Sequence, residues 1–401
     1  MGVDSGVWPN TLRALILLVA LSPLIYYALA VYAGLSFFRW KKRLPPLDRS
    51  YAPPISILKP VRGVDREAYE NFSSMCELDY PEYEIVFAVA EKDDPVIGLI
   101  RKLQDAFPGR SIRLIEGVEQ VGNCRKTNSL CRLVKEAKYE LLVINDSDVR
   151  VDKDYLWEVV APFSDPKVGV VTALFRSKTG GGIAADVDAV GVPTDASANT
   201  LLAWKFGRID FALGWTMAIT KERLAEIGGF EALINMHSDD FALGNEVAKK
   251  GYRVELMRNP VWMVFPQESI GQFLAHELRW LIQLRNLRLM GYLGMFLTFG
   301  FAWLLLVVAI ASSWKIVVAY LAAYAALRLS VAWVIGVWVL EDPTVRKRPW
   351  LALVRDALNL AVYFASFFSN KVEWRGVPYK LRGPFLEPLS PIGENTSARQ
   401  A

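Results

Sequence analysis

Histidine is almost missing from this chain: His237 and His276 are the only two among 401 residues, too few for a His-rich metal site. Cysteine is scarce as well. Cys76, Cys124 and Cys131 are odd in number and lack metal-finger spacing, which fits a reduced compartment rather than a disulfide framework. Cys124 and Cys131 read as core residues rather than ligands. The middle of the chain holds no basic helix and no basic strand interleaved with aromatics, so nucleic acid is not an expected partner. A cleavable leader would carry its positive charge before its apolar stretch, and here the charge comes after.

What is abundant is apolar surface, at 53% hydrophobic residues, gathered in blocks between charged stretches. That pattern predicts an integral membrane protein with a polar domain. Residues 11–38 form an apolar stretch interrupted only by Arg13, longer than the ~20 residues that span a bilayer. Arg39, Lys41, Lys42 and Arg43 follow it. Positive charge favours the cytoplasmic side, so residues 1–44 are expected to be an uncleaved anchor whose carboxyl end faces the cytoplasm. The net charge of +4 is concentrated there and in Arg346, Lys347, Arg348, Lys371, Arg375, Lys380 and Arg382, placements that suit a membrane surface.

From Ile55 to Pro266 strand and helix signals alternate, the pattern of a mostly parallel α/β sheet, and residues 45–268 are expected to form one such domain. Strands are expected at 55–58, 83–90, 112–116 and 141–144, and helices at 66–76, 96–107, 126–137 and 241–250. Residues 179–200, rich in Gly, Ala, Asp and Ser without a clear period, read as a mobile insertion or loop. Residues 269–291 read as an interfacial amphipathic helix, and 292–370 as a membrane region with long apolar blocks at 292–311 and 316–340. The block 350–368 contains Arg355, Asp356 and Asn359. Spanning would carry the basic tail 371–401 to the opposite side, so a re-entrant or surface-lying segment is expected there.

The chemistry centres on Tyr139–Val151, where the apolar run Leu141–Ile144 ends in Asp146-Ser147-Asp148. Ligands bind outside the carboxyl ends of strands in open α/β sheets, so two acids there are placed to hold Mg²⁺ or Mn²⁺ against substrate phosphates. Alone, the same letters also describe an Asx-rich turn. Glu91 to Asp94 follow the second strand, and Asp239-Asp240 open a helix, where an N-cap pair is the alternative role. His276 to Trp280 lie on the helix after Pro266, where snorkelling at the interface is the alternative.

Taken in order, these words resemble the membrane glycosyltransferases of the GT-A type, with an acid after the second strand, a D-x-D pair, a later catalytic Asp and a (Q/R)-x-x-R-W helix. Within that group the chain is similar to ceramide glucosyltransferases and their bacterial relatives, which include hopanoid glycosyltransferases. The matching words are 59–65 (KPVRGVD), 77–81 (ELDYP), Asp93-Asp94-Pro95, Val121-Gly122 with Lys126 and Asn128, Asp146-Ser147 with Arg150-Val151, Asp239-Asp240-Phe241, Arg279-Trp280 and Trp374-Arg375-Gly376. Two departures stand out: His276 replaces Gln or Arg in the last signature, and Asp239 replaces Glu before the catalytic Asp.

The resemblance implies a Rossmann-like GT-A domain flanked by membrane helices, and an inverting transfer of glucose from UDP-glucose to the primary hydroxyl of ceramide. A hopanoid or other lipid acceptor, UDP-N-acetylglucosamine as donor, and a processive polysaccharide synthase are the alternatives. It further implies Asp240 as the base with Asp239 beside it, Asp146 and Asp148 as metal ligands, and donor contacts from Lys59, Glu91, Asp94, Lys126, Asp146, Arg279 and Trp280. His237 and His276 are set near the acceptor.

Overall fold

Runs such as Ile55–Val61 and Tyr83–Val89 are mostly apolar and buried on both faces, the state of a strand in a sheet covered on both sides. In the computed structural model, which describes residues 10–266 and 269–389, the chain divides into two units. One holds Arg43–Lys178, Gly207–Pro266 and Lys371–Ala401, the other Met1–Lys42, Thr179–Phe206 and Gln267–Asn370.

The first unit carries the strands β1 (Ile55–Val61), β2 (Tyr83–Val89), β3 (Ser111–Glu116), β4 (Leu141–Ile144), β5 (Val149–Arg150), β6 (Val168–Thr172), β7 (Phe175–Thr179), β8 (Met217–Thr220), β9 (Arg253–Leu256) and β10 (Val261–Phe265). Seven of them form one sheet in the order β3-β2-β1-β4-β8-β6-β9. The strands β3, β2, β1 and β4 run parallel, β8 is antiparallel to both its neighbours, and β9 is parallel to β6. The expected mixed α/β architecture with a mostly parallel sheet is therefore present. Because β2 and β3 lie to one side of β1 and β4 to the other, the crossovers diverge at the carboxyl ends of β1 and β4. A crevice opens at such a switch point. Leu58 pairs with both Val86 and Ile144, so Lys59 and Asp146 emerge at the same edge.

Residues 371–388 are not the charged tail that composition suggested. They form an antiparallel meander of β11 (Lys371–Trp374), β12 (Val377–Arg382) and β13 (Phe385–Pro388). Val377, Tyr379 and Leu381 are buried while Pro378 and Arg382 are exposed, a period of two that the positive charges on the outer face had masked. The last part of the expected tail, 390–401, lies outside the described residues.

In the second unit, Asn10–Arg43, Trp314–Val339 and Leu351–Phe368 are each long and apolar enough to cross a membrane. Leu289–Thr298 and Gly300–Ile310 form a further pair bent by 56°. One expectation changes here. Residues 183–206 are a helix rather than a loop, with Gly180, Gly181 and Gly182 in the turn before it, where Gly181 and Gly182 have positive φ. Val187 and Val190 pack against Phe273, Ala332, Val345 and Leu351, so tertiary burial rather than a periodic stripe makes the helix. Its acids are neutralised within the unit: Asp195 lies 2.7 Å from Arg328, Asp188 lies 3.5 Å from Arg355, and Asp186 lies 2.8 Å from Arg348.

The charges of Leu351–Phe368, a continuous helical segment, are paired within the unit as well. Arg355 binds Glu277 and Asp188, and Asp356 binds Arg328. Charges paired inside a bundle are far less costly in a bilayer than free ones.

Candidate active site

The loop Asp146-Ser147-Asp148 leaves the carboxyl end of β4 and is held from below by Lys59. That ammonium is fully buried and donates to the Asp146 carbonyl at 2.6 Å. Burial pushes it down to about 8, against the pull of Asp146, Asp148 and Asp65. Lys59 thus fixes the loop backbone.

Lys126 opens the far side. It sits on the second residue of the helix Arg125–Glu136, and its ammonium bridges Asp146 Oδ1 at 2.8 Å and Asp239 Oδ2 at 3.0 Å. Burial works against its charge, but the carboxylates of Asp146, Asp239 and Asp240 outweigh burial and keep it protonated. The loop before this helix is organised by Asn128. Its carbonyl accepts from the amides of Val121 and Gly122, and its NH₂ donates to the carbonyls of Gly122 and Cys124.

Asp239 and Asp240 begin the helix Asp239–Lys249. Asp240 Oδ2 accepts from the Gly214 amide at 2.9 Å and Oδ1 from the Phe241 amide at 2.7 Å. Burial and then the Asp239 charge push Asp240 up to about 6, with Lys126 pulling the other way. Asp148 is likewise raised to about 6, by burial, Asp146 and Asp65, with Arg375 and Lys59 opposing.

Gly214 shows how these groups meet. A Cβ built on it would lie 3.1 Å from Asp146 Oδ2 and 3.2 Å from Asp240 Oδ2, so carboxylates from two distant loops face one small volume. The glycine is carried there because Asn145, next to Asp146, donates to the Trp215 carbonyl at 2.8 Å. Gly214→Ala would press a methyl between the two oxygens. The expected result is a fall in turnover of about tenfold from a displacement of a few tenths of an ångström, with an unchanged thermal midpoint.

The donor set suits a hard divalent ion: several carboxylates crowd one buried edge, and burial first, then the neighbouring carboxylates, raises the proton affinity of Asp148 and Asp240. Among the described residues no three His, Cys, Asp or Glu side chains form a group able to hold an ion by themselves. Two carboxylates are enough for Mg²⁺-type sites that complete their shell with phosphate and water oxygens.

Other expected contacts are engaged elsewhere. Asp94 accepts from the Gly63 amide with both oxygens, at 3.0 and 2.8 Å, and from the Val96 amide at 2.9 Å. Glu91 pairs with Arg125 at 2.5 Å. His237 is buried, with Nδ1 2.9 Å from Ser238 Oγ and Nε2 3.2 Å from the Gly383 carbonyl, and burial pushes it down to about 4. It is a neutral packing residue at neutral pH. His276, Arg279 and Trp280 lie on the helix Ile270–Leu287 of the membrane unit, where His276 Nδ1 is 3.2 Å from Asp188 Oδ2 and its ring centre is 4.8 Å from that of Trp280.

Sequence reasoning assigned no part to Gly214, Asp65, Ser147 or Arg375, although the last three stand in the matching words. Arg375 binds both oxygens of Asp65, at 2.5 and 2.9 Å, and Ser147 Oγ donates to the same carboxylate at 2.5 Å.

The model of glycosyl transferase family 21 matches residues 15–384. Ceramide glucosyltransferase 3 of Caenorhabditis elegans is 26% identical over 248 residues, covering 62% of this chain and 54% of the relative. Poly-beta-1,6-N-acetyl-D-glucosamine synthase of Staphylococcus aureus is 23% identical over 213 residues, covering 53% and 50%. The chain thus spans about half the length of the curated relatives it matches. Among solved structures, the mannosyltransferase PcManGT from Pyrobaculum calidifontis, in complex with GDP-Man and Mn²⁺, is similar with a TM-score of 0.49 at 20% identity, covering 87% of this chain and 99% of that one.

Proposed function

Because the chain belongs to glycosyl transferase family 21, we propose that it is a membrane-embedded inverting glycosyltransferase moving glucose from UDP-glucose to the primary hydroxyl of ceramide. The observation that carries this is the convergence of Asp146, Asp240 and Lys126 around Gly214. A sugar transfer needs a base for the acceptor and positive charge for the departing diphosphate, and this volume offers both.

Asp240 is the base. Two backbone amides orient its carboxylate, and its raised proton affinity brings it closer to the acidity at which a carboxylate accepts a hydroxyl proton and later releases it. Asp146 and Asp148 would hold Mg²⁺ or Mn²⁺, which when bound neutralises charge on the leaving diphosphate. Lys126 adds a fixed cation beside Asp146. Lys59 and the Asn145–Trp215 bond keep the loop and Gly214 in place, so the carboxylates are preorganised rather than gathered by substrate. Direct attack by the acceptor inverts the anomeric carbon without a sugar–enzyme bond. The roles of Arg279 and Trp280 rest on the resemblance alone. The basic residues flanking the apolar segments support a cytoplasmic active site in a bacterial inner membrane.

A second reading, a processive polysaccharide synthase, draws on the similarity to the staphylococcal synthase. A channel for a growing chain favours a larger bundle than the three helices, or four with the bent pair, found among the described residues. The test is to incubate the purified full chain with UDP-sugars, ceramide, hopanoid lipids and Mn²⁺, and to identify products by mass. A ceramide monohexoside made from UDP-glucose is expected. A hopanoid glycoside or a polymer would replace the acceptor assignment, and no transfer from any donor would overturn the enzyme reading.

A further inference from the structure

The loop that carries Asp146 and Asp148 is fastened by a residue 228 positions beyond its centre. Arg375 and Gly376 form the two-residue turn between β11 and β12, with φ of +51° and +77°, the left-handed backbone that such a hairpin turn requires. The turn aims the Arg375 side chain at the loop. Its guanidinium forks onto Asp65, Nη1 to Oδ1 at 2.5 Å and Nη2 to Oδ2 at 2.9 Å, and Nη2 also reaches Ser147 Oγ at 3.3 Å. The backbone is tied in return, since Arg62 donates from Nη1 to the Arg375 carbonyl at 2.5 Å. Ser147, between the two acids, donates to Asp65 Oδ2 at 2.5 Å.

The same meander also grips the turn before the base: the Leu386 amide donates to the Asn235 carbonyl at 2.8 Å, and the His237 amide donates to the Pro384 carbonyl at 3.0 Å.

We propose that Arg375 is a positioning residue for the Asp146–Asp148 loop: its fork orients Asp65, Asp65 holds Ser147, and Ser147 fixes the directions in which the flanking carboxylates point. The chain of contacts ends at Ser147, the residue between the two acids. Arg375 also neutralises a third acid, Asp65, which would otherwise repel both. The planar fork matters as well as the charge, because a single ammonium cannot bind both Asp65 oxygens and Ser147 in one plane. This inference rests on the reading of Asp146 and Asp148 as the pair that holds a divalent ion.

The experiment is calorimetric titration of the full-length, detergent-solubilised protein with UDP, in Mn²⁺ and in EDTA, alongside its thermal midpoint in EDTA. Arg375→Ala is expected to weaken UDP binding in Mn²⁺ by about 10–100-fold, the usual cost of removing a group that orients a metal ligand, and to leave binding in EDTA unchanged. Arg375→Lys is expected to recover only part of the loss. Arg382→Ala, which breaks an exposed pair with Glu387 in the same meander, is expected to bind like the wild type.

Wild-type affinity in Arg375→Ala overturns the proposal, and so does an equal loss in Arg382→Ala, which would mark a general loosening of the meander. If Arg375→Ala does not fold, Arg375→Lys decides: full wild-type affinity there shows that the fork is unnecessary and ends the proposal. A wild type whose UDP affinity is the same in Mn²⁺ and EDTA removes the Asp146–Asp148 reading, and this inference falls with it.

Discussion

Asp240→Asn is expected to lower sugar transfer by about 10²- to 10⁴-fold, the contribution of a positioned general base, while UDP binding in Mn²⁺ stays near the wild-type value. The asparagine keeps the size of the side chain and an oxygen that can accept from Gly214 or Phe241, so the turn is retained and the proton acceptor is lost. The wild-type pH profile is the companion measurement. Burial and the neighbouring Asp239 charge raise Asp240 to about 6, so its ionised, proton-accepting form predominates above that value. Transfer is expected to fall as pH drops through about 6, and the acid limb should disappear from the residual activity of the variant. If the variant loses UDP affinity as fully as it loses turnover, Asp240 is a donor-site residue and the assignment fails.

Asp148→Ala is expected to do the converse. UDP binding in Mn²⁺ should weaken by at least the roughly 10–100-fold that follows loss of a group supporting a metal ligand, and turnover should fall because the donor no longer binds. Stability should not fall with it. Asp148 has its folded pKa raised to about 6, first by burial and then by Asp146 and Asp65, so the native state holds its proton more tightly than the unfolded chain does. A raised carboxyl pKa means that the ionised form opposes folding: the cost is fully present above about pH 6 and is relieved as pH falls below it. At neutral pH without metal, the alanine variant should therefore unfold at a temperature no lower than the wild type. A lower midpoint in EDTA would show that Asp148 is a structural acid, and unchanged nucleotide affinity would remove it from the ion-holding pair.

Much of the first unit was legible before any coordinates. The runs expected at 55–58, 83–90 and 141–144 are short, mostly apolar and separated by helical signals, and they occur as the adjacent parallel strands β1, β2 and β4. The acids at their carboxyl ends emerge at one edge, as the switch-point argument expected, and Asp146 and Asp240 meet at Gly214. The errors have a common cause. Residues 183–206 lacked a periodic stripe because that helix is covered from several directions within its unit, and 371–388 looked like a tail because the charges on the outer face outnumber a thin buried row. In Leu351–Phe368 the charges are paired with Glu277, Asp188 and Arg328, partners that no local window contains.

The partners of several site residues were illegible for the same reason. Asp94, Glu91 and Lys59 are acidic or basic in sequence, and only their neighbours reveal that the first accepts from the Gly63 and Val96 amides, the second pairs with Arg125 and the third holds a carbonyl. By itself the sequence determined the first four strands of the sheet, the segments apolar enough for a membrane and the acids at those strand ends, because period and composition are properties of a few consecutive residues. The tertiary structure alone decided that Gly214 separates two carboxylates and that Arg375 reaches the loop of Asp146 and Asp148. Loop-closure entropy grows only with the logarithm of chain length, so a contact across 228 residues costs little more than a nearer one and leaves no periodic mark by which it could be read in advance.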